Sequence, residues 1–330
     1  MSGFVKTTRE LRALVMLLLL FVVMAVTSPD FLTVRNIQNI LLQIAVNGIV
    51  AAGMTVVIFT GGFDLSVGSV MALAGVLLMK TVSLGVIPAI LIATVAGVLV
   101  GLINGYLISK ARINPFIATL STMIIIRGII MGATDAHPIS VWNETLFFLG
   151  LGSVIGIPVC AFFLVAVVVI LHYFVSNYRM GRYILVSGGN VQAGYLAGAP
   201  MKAAITAAYS ISSASAALAG VLLAARLSTG SPVVAQDAPL LAIAAVVLGG
   251  TSLAGGSGSI LKTLLGVLIL GILSNGLNLL EVSSYYQTII KGVLVVGVVA
   301  SDAPGLAQWA QMLRRRVASA RIQREHPSLD

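Results

Sequence analysis

From Ala13 to Ser301 the chain is a succession of apolar runs, about 15 to 24 residues long except for a shorter eighth of about 12, separated by short stretches that hold most of the charge. A run of about 20 apolar residues is what a helix needs to cross the hydrocarbon core of a bilayer. The repetition of such runs therefore constrains the fold more than any single motif. Ten candidate spans follow: 13–27, 38–60, 66–84, 86–109, 115–133, 157–176, 202–224, 239–250, 260–280 and 287–301. Only 9% of residues are charged, against roughly a quarter in soluble domains, and mean hydropathy is +1.07. Too little polar surface exists to face water on all sides, so the predicted class is an all-α polytopic membrane protein.

The net charge of +9 does not point to nucleic acid, because of where the cations fall. Lys6, Arg9, Arg12, Lys110, Arg112, Arg179, Arg182, Lys202 and the five arginines between 314 and 324 collect on one side of a ten-span threading. The other side keeps Arg35 and Arg226. Lysine and arginine favour the cytoplasmic side, so both termini are expected inside. Residues 1–12 read as a cytoplasmic tail, 13–301 as the membrane domain and 302–330 as a basic cytoplasmic tail. Lys6, Arg9 and Arg12 before an apolar run resemble a secretory signal, but Thr27-Ser28-Pro29-Asp30 lacks small-x-small cleavage spacing. The run is read as a retained first span. The single cysteine, Cys160, excludes an intramolecular disulfide and a cysteine-cluster metal site.

Three motifs interrupt the apolar pattern. GGFDLSVGS, Gly61 to Ser69, places one carboxylate, Asp64, among turn-prone small residues between spans two and three. Non-helical backbone and an ionisable group at membrane depth mark either a helix cap, with Ser66 and Ser69 close by, or a translocation element. GGTSLAGGS, Gly249 to Ser257, shares the pattern GGxxLxxGS, and each following span pair contains an Asn-Gly step, Asn104-Gly105 and Asn275-Gly276. Interrupted helices in matching positions point to a transport pathway. Asp64, Ser66, Asn104, Gly249, Gly250 and Asn275 are therefore the translocation or gating candidates. For the asparagines, joining helices to one another is the plainer alternative. Trp142, Phe147 and Phe148 suit an interfacial helix in the outer loop 134–156, and Arg127 in span five is expected to reach toward the outer face.

The third motif is the inner loop 177–200. Basic residues open it, Gly188-Gly189 follow, Asn190 suits the N-cap of a short helix from Val191 to Leu196, and Gly198 suits its C-terminal cap. A doubly capped helix with a small-residue surface at Ala193 and Gly194 suits docking into a partner. GSGSILKT, Gly256 to Thr263, is one residue from a phosphate-binding loop. Leu261 stands where that loop requires glycine, and no strand precedes it, so nucleotide binding is not expected there. No catalytic set, metal-ligand spacing or cofactor motif appears.

The stretches INPFIATLSTMIIIRG (113–128), MGRYILVSGGNVQAGYLAGA (180–199), AIAAVVLGGTSLAGGSGSI (242–260) and NGLNLLEVSSYYQTIIKG (275–292), with GGFDLSVGS, resemble the ribose-type permeases of ABC monosaccharide importers. These sit within the branched-chain amino acid and sugar permease superfamily. The resemblance covers about residues 30 to 302. It implies a type II importer fold of about ten helices and no enzymatic activity in this chain. It further implies a second permease subunit, identical or a sister, together with cytoplasmic ATPase subunits and a periplasmic sugar-binding protein. Gly188, Gly189, Asn190, Ala193, Leu196 and Gly198 match the family's ATPase-coupling loop. The chain departs from the family pattern at Phe63, at Gln236 to Leu241 and at Lys262. An ion-coupled transporter or channel working alone is the alternative reading, with Asp64 its one good carboxylate.

Overall fold

A computed structural model describes residues 2–302. These described residues form a bundle of thirteen helices in chain order: α1 (Ser2–Thr27), α2 (Val34–Ile58), α3 (Val67–Thr81), α4 (Val86–Ser109), α5 (Pro115–Thr134), α6 (Glu144–Leu151), α7 (Val159–Asn177), α8 (Arg179–Gly189), α9 (Val191–Leu196), α10 (Met201–Leu227), α11 (Ala238–Leu248), α12 (Ile260–Leu279) and α13 (Ser284–Asp302). A 3₁₀ turn, Val82–Leu84, extends α3. Seven of these helices, α2, α3 with its extension, α4, α5, α7, α10 and α12, are long and apolar enough to cross a membrane by length and composition. The apolar part of α1, Ala13–Thr27, is shorter, as is α11 at eleven residues. The helix α1 runs from Ser2 through the stretch read as a tail. Beyond its first residue, the expected basic tail 302–330 lies outside the described residues.

Two helices form the centre. In α2 the whole stretch Gly48–Ile58 is buried, and in α10 so is most of Ser212–Ala225. The lipid-type surface lies elsewhere: α4, α5 and α7 expose residues such as Ile87, Leu91, Ile124, Ile125, Val165 and Val169. Between helices in lipid, close approach of backbones replaces the hydrophobic drive that water provides. Glycines four apart on α4 supply that approach. A β-carbon on Gly97, Gly101 or Gly105 would lie within 2.5 Å of Ala217, of the Tyr209 carbonyl or of Thr206, all on α10. The same logic seats Gly220 of α10 against the Met71 backbone of α3.

The ends of the bundle differ in character. At one end, Ile139–Ser140 pairs antiparallel with Thr229–Gly230, and Gln38 donates to the Gly156 carbonyl at 3.0 Å. The short, largely apolar α6 lies there, capped by Asn143, whose Oδ1 accepts from the Leu146 amide at 3.1 Å. Trp142 just before it and Phe147 and Phe148 within it are exposed. Arg127 does not hang free at this end. It donates to the carbonyls of Pro232 and Val234, pinning the irregular stretch 231–237 that leads into α11. At the other end lie the three glycine-rich interruptions.

Candidate functional site

The helix α2 ends at Ile58, and Gly61 turns the chain with φ +76°, a left-handed conformation that suits a residue without a β-carbon. Residues 62–66 then run as irregular backbone into the bundle before α3 begins. Polar side chains from three helices close around this break. Asp64 Oδ1 accepts from the Ser66 amide (3.1 Å) and hydroxyl (2.5 Å), and Oδ2 accepts from Ser212 (2.9 Å) and Ser213 (3.5 Å) of α10. Ser66 Oγ accepts from Asn104 Nδ2 of α4 (3.0 Å), and Asn104 Oδ1 accepts from Thr122 of α5 (2.7 Å). Tyr209 and Thr119 both donate to the Phe63 carbonyl, at 3.3 and 3.4 Å. Asp64, Ser66, Asn104, Ser212 and Ser213 are fully buried. The structure thus brings Asp64, Ser66 and Asn104 into one enclosed network that satisfies non-helical backbone at depth, as a water-free interior requires. Ser69, expected near the cap, instead donates to the Met123 carbonyl of α5 at 2.8 Å.

The partners of Asp64 on α10 were not singled out from sequence. The signal was present: Ser210, Ser212, Ser213 and Ser215 cluster in an otherwise alanine- and leucine-rich helix. Hydroxyls at that density in a buried helix mark a face that meets polar groups.

The second interruption packs directly on the first. Gly255 and Gly256 both have left-handed backbone, with φ +83° and +72°. The Gly256 amide donates to the Phe59 carbonyl at the end of α2 at 3.0 Å. A β-carbon on Gly255 would lie 2.6 Å from the Gly61 nitrogen and 3.0 Å from the Gly188 α-carbon. One on Gly188 would lie 2.0 Å from the Phe59 carbonyl oxygen. The two glycine motifs and the inner-loop pair Gly188-Gly189 therefore meet backbone to backbone at a single junction.

The glycine pair belongs to a helix, α8, rather than to a loop. The sequence reading missed α8 because Gly188 and Gly189 signal a break. The helix carries them in its last turn, where their missing side chains admit the neighbouring backbones. Asn190 follows, and its Oδ1 accepts from the Ala193 amide at 2.9 Å, capping α9. Gly198 ends α9 with φ +73° and donates its amide to the Tyr195 carbonyl at 3.0 Å. The expected small-residue surface needs correction at Gly194. It is buried, because the Met201 side chain fills the space where its β-carbon would be, 2.6 Å from the sulfur. The exposed face of α9 is apolar instead: Leu196 is 91% exposed, with Tyr195 and Val191 beside it.

The remaining candidates lie apart. Gly249 packs on the first turn of α12, where a β-carbon would lie 2.5 Å from the Lys262 carbonyl, and Gly250 turns the chain with φ +84°. Asn275 is at the opposite end of the bundle from Asn104. It exchanges two hydrogen bonds with Asn36 of α2, at 2.7 and 3.0 Å, and Asn36 also donates to the Phe31 carbonyl at 2.8 Å. The two Asn-Gly steps thus occupy different environments: Asn104 supports the first break, whereas Asn275 ties α12 to the start of α2.

Comparisons with known proteins agree with this architecture. Residues 36–299 match the family described as the branched-chain amino acid transport system permease component. The chain is 43% identical over 265 residues to the ribose import permease protein RbsC of Escherichia coli K12, covering 78% of this chain and 83% of that protein. It is equally similar to RbsC of Bacillus subtilis, over 76% of this chain and 80% of that one. Identity to the L-arabinose transport system permease protein AraH of E. coli K12 is 37%, over 77% and 78%. No solved structure matches the chain. A multi-pass helical bundle, interrupted at matched glycine motifs and similar along most of its length to these permeases, belongs to the permease component family of the branched-chain amino acid transport system.

Proposed function

We propose that this chain is the membrane-spanning permease subunit of an ATP-driven importer that carries a monosaccharide, ribose-like or another sugar or polyol. The observation that carries the reading is the 43% identity to ribose import permeases across four-fifths of their length. The seven long apolar helices, with α1, α11 and α13, make ten crossings, both termini facing the cytoplasm of a bacterial inner membrane. The irregular stretch 231–237 supplies the length that α11 lacks. The partners are cytoplasmic ATPase subunits, a second permease subunit (identical or a sister), a periplasmic binding protein that delivers the sugar, and membrane lipids. Hydrolysis of ATP belongs to the ATPase subunits, and this chain needs no cofactor.

The mechanism follows from the junction. The α9 helix, with Asn190 as its cap and Leu196 on its exposed face, docks on the ATPase. When the ATPase pair closes on ATP, α9 and the end of α8 move together. Gly188 and Gly189 rest on Gly61, Phe59, Gly255 and Gly256, so that displacement reaches the ends of α2 and α11 and the starts of α3 and α12. Interrupted helices rocking about such a point give alternating access. In this scheme Gly249 and Gly250 are hinge positions. Asp64, Ser66 and Asn104 keep the first break rigid as it moves, and Asn275 holds the far end.

Reconstitution into liposomes tests this. Sugar uptake is expected only with ATPase, binding protein and ATP together, and Gly189→Arg is expected to abolish it while the chain remains in the membrane. Uptake by the chain alone on an ion gradient would establish the stand-alone transporter instead. Asp64, enclosed and bonded on both oxygens, gives that alternative little support.

A further inference from the structure

The polar side chains within the bundle fall into two groups. Those of Asp64, Asn104, Asn36 and Asn275 are bonded to one another or to backbone. Gln43, Asn47 and Asp237 are not: among the described residues, none of these three side chains makes a hydrogen bond or ion pair, and the Arg226 guanidinium makes neither, its one electrostatic neighbour being the Cys160 thiol. All four line one recess of about 210 Å³ between α2, the end of α10 and the start of α11. Among the described residues no buried side-chain nitrogen or oxygen lacks a partner, and Asn47 and Asp237 are exposed.

Their placement is specific. Gln43 and Asn47 are one turn apart on the same face of α2. Asn47 is exposed although both its neighbours in sequence are buried, and it lies near the middle of this 25-residue helix. Asp237 precedes α11, yet its carboxylate makes no capping bond. Arg226 sits in the last turn of α10. An unpaired amide near mid-helix, as at Asn47, is costly unless it meets water or a ligand, whereas Arg226 and Asp237 stand at helix ends. A second, smaller space of about 20 Å³ shares Asn47, Ala238 and Leu241 with the recess and reaches Val50, Ala245 and Leu270, room for a water or two at most.

We propose that Gln43, Asn47, Arg226 and Asp237 form a polar contact site for the hydroxyls of a monosaccharide in transit. The inference rests on the importer reading above. Two amides supply donors and acceptors, a carboxylate accepts from adjacent hydroxyls, and a guanidinium donates in a fixed fork. The volume lies below the roughly 300–1,000 Å³ of sites for drug-sized ligands, as suits a small cargo. The apolar lining, Leu223 and Leu241 among it, is aliphatic and offers no aromatic face for stacking. Contact is weak, as a pathway that must release its cargo requires.

The test uses the complete complex of permease, ATPase and binding protein in liposomes, with labelled D-ribose and L-arabinose within a wider panel of pentoses, hexoses and polyols. Asp237→Ala is expected to lower uptake of the preferred sugar at least tenfold at unchanged membrane level. Asn47→Asp is expected to change the ratio between two transported sugars at least threefold, which a purely structural role would not do. As a second measurement, Asn47→Cys in a Cys160→Ser background is labelled with a water-soluble thiol reagent, and delivery of sugar by the binding protein is expected to slow labelling. Variants that match the unaltered complex in rate and ratio would overturn the site, as would labelling indifferent to sugar. An unaltered complex that carries no sugar of the panel would overturn the importer reading itself, and this site with it.

Discussion

The amide of Gly256 donates to the carbonyl of Phe59 at 3.0 Å, joining the loop before α12 to the end of α2 across nearly two hundred residues of sequence. Helix ends leave their last carbonyls without partners inside the helix. Here the unpartnered carbonyl is met by a backbone from the second glycine motif, and Gly188 of α8 seals the same spot. Three segments that look like separate breaks in the sequence are one structural joint. The joint is made of backbone, so in the proposed mechanism a displacement would pass through it without side-chain slack.

Adjacent glycines at this joint differ sharply in what they tolerate. A β-carbon on Gly188 would lie 2.0 Å from backbone oxygen, whereas on Gly189 the nearest atom, the Gly256 α-carbon, is 3.7 Å away. Gly188→Ala is expected to force the joint apart, at a cost of about 1–3 kcal/mol or more for overpacking. Gly189→Ala is expected to be near neutral. Thermal unfolding in detergent, read beside uptake, checks both. Equal behaviour of the two variants would refute the packing at the joint.

The enclosure of Asp64 sets a second expectation. Asp64→Ala leaves the Ser66 amide and the Ser212 hydroxyl without their acceptor in a buried site, and each orphaned group costs about 1–3 kcal/mol. Asp64→Asn keeps one carbonyl oxygen for Ser66 and is expected to cost less than half as much. Thermal stability of the two purified variants orders them. If Asp64→Ala matches the unaltered chain in stability but fails in transport, the network is not what holds the break.

The reciprocal pair of Asn36 and Asn275 lends itself to a double-mutant cycle. Each single change to leucine strands a buried amide, while the double change removes both. The pair is expected to show a coupling energy of about 0.6–2 kcal/mol, the range for hydrogen bonds between membrane helices. Uptake is expected to track stability across the set, since this clasp lies at the far end from the joint. A selective loss of transport in a stable Asn275 variant would place it in the pathway instead.

How much of this was legible in the sequence depends on range. Apolar runs set by bilayer thickness give the long helices, because each span is a local property. Asn190, Ala193 and Gly198 give α9, because caps act over three or four residues. The helix α8 was hidden because Gly188 and Gly189 carry a local signal for a break, and only the approach of Phe59 and Gly256 explains them. The acceptors of Arg127 were hidden likewise: Pro232 and Val234 lie more than a hundred residues away. The match between Asn104-Gly105 and Asn275-Gly276 misled for the opposite reason. The two steps share residues, but one follows its break by a full helix and the other lies within the first helix after it.

Leu196 offers the sharpest test of the proposed ATPase contact. It is 91% exposed at the end of a six-residue helix whose other face packs on Met201. A large apolar side chain so placed contributes little to the fold, so Leu196→Asp is expected to change stability by no more than about 0.5 kcal/mol. In the complex its burial would be worth about 1.5–3 kcal/mol, and a carboxylate in the same socket would add a desolvation penalty. Co-purification of the ATPase is therefore expected to fall at least tenfold, and sugar-stimulated hydrolysis with it, while the variant accumulates in the membrane as the unaltered chain does. Asn190→Ala is the gentler companion, costing about 1 kcal/mol of helix capping, and is expected to weaken the same association partially. If Leu196→Asp retains full ATPase association, the proposed docking of α9 on the ATPase fails, and with it the proposed route from ATP to the glycine joint.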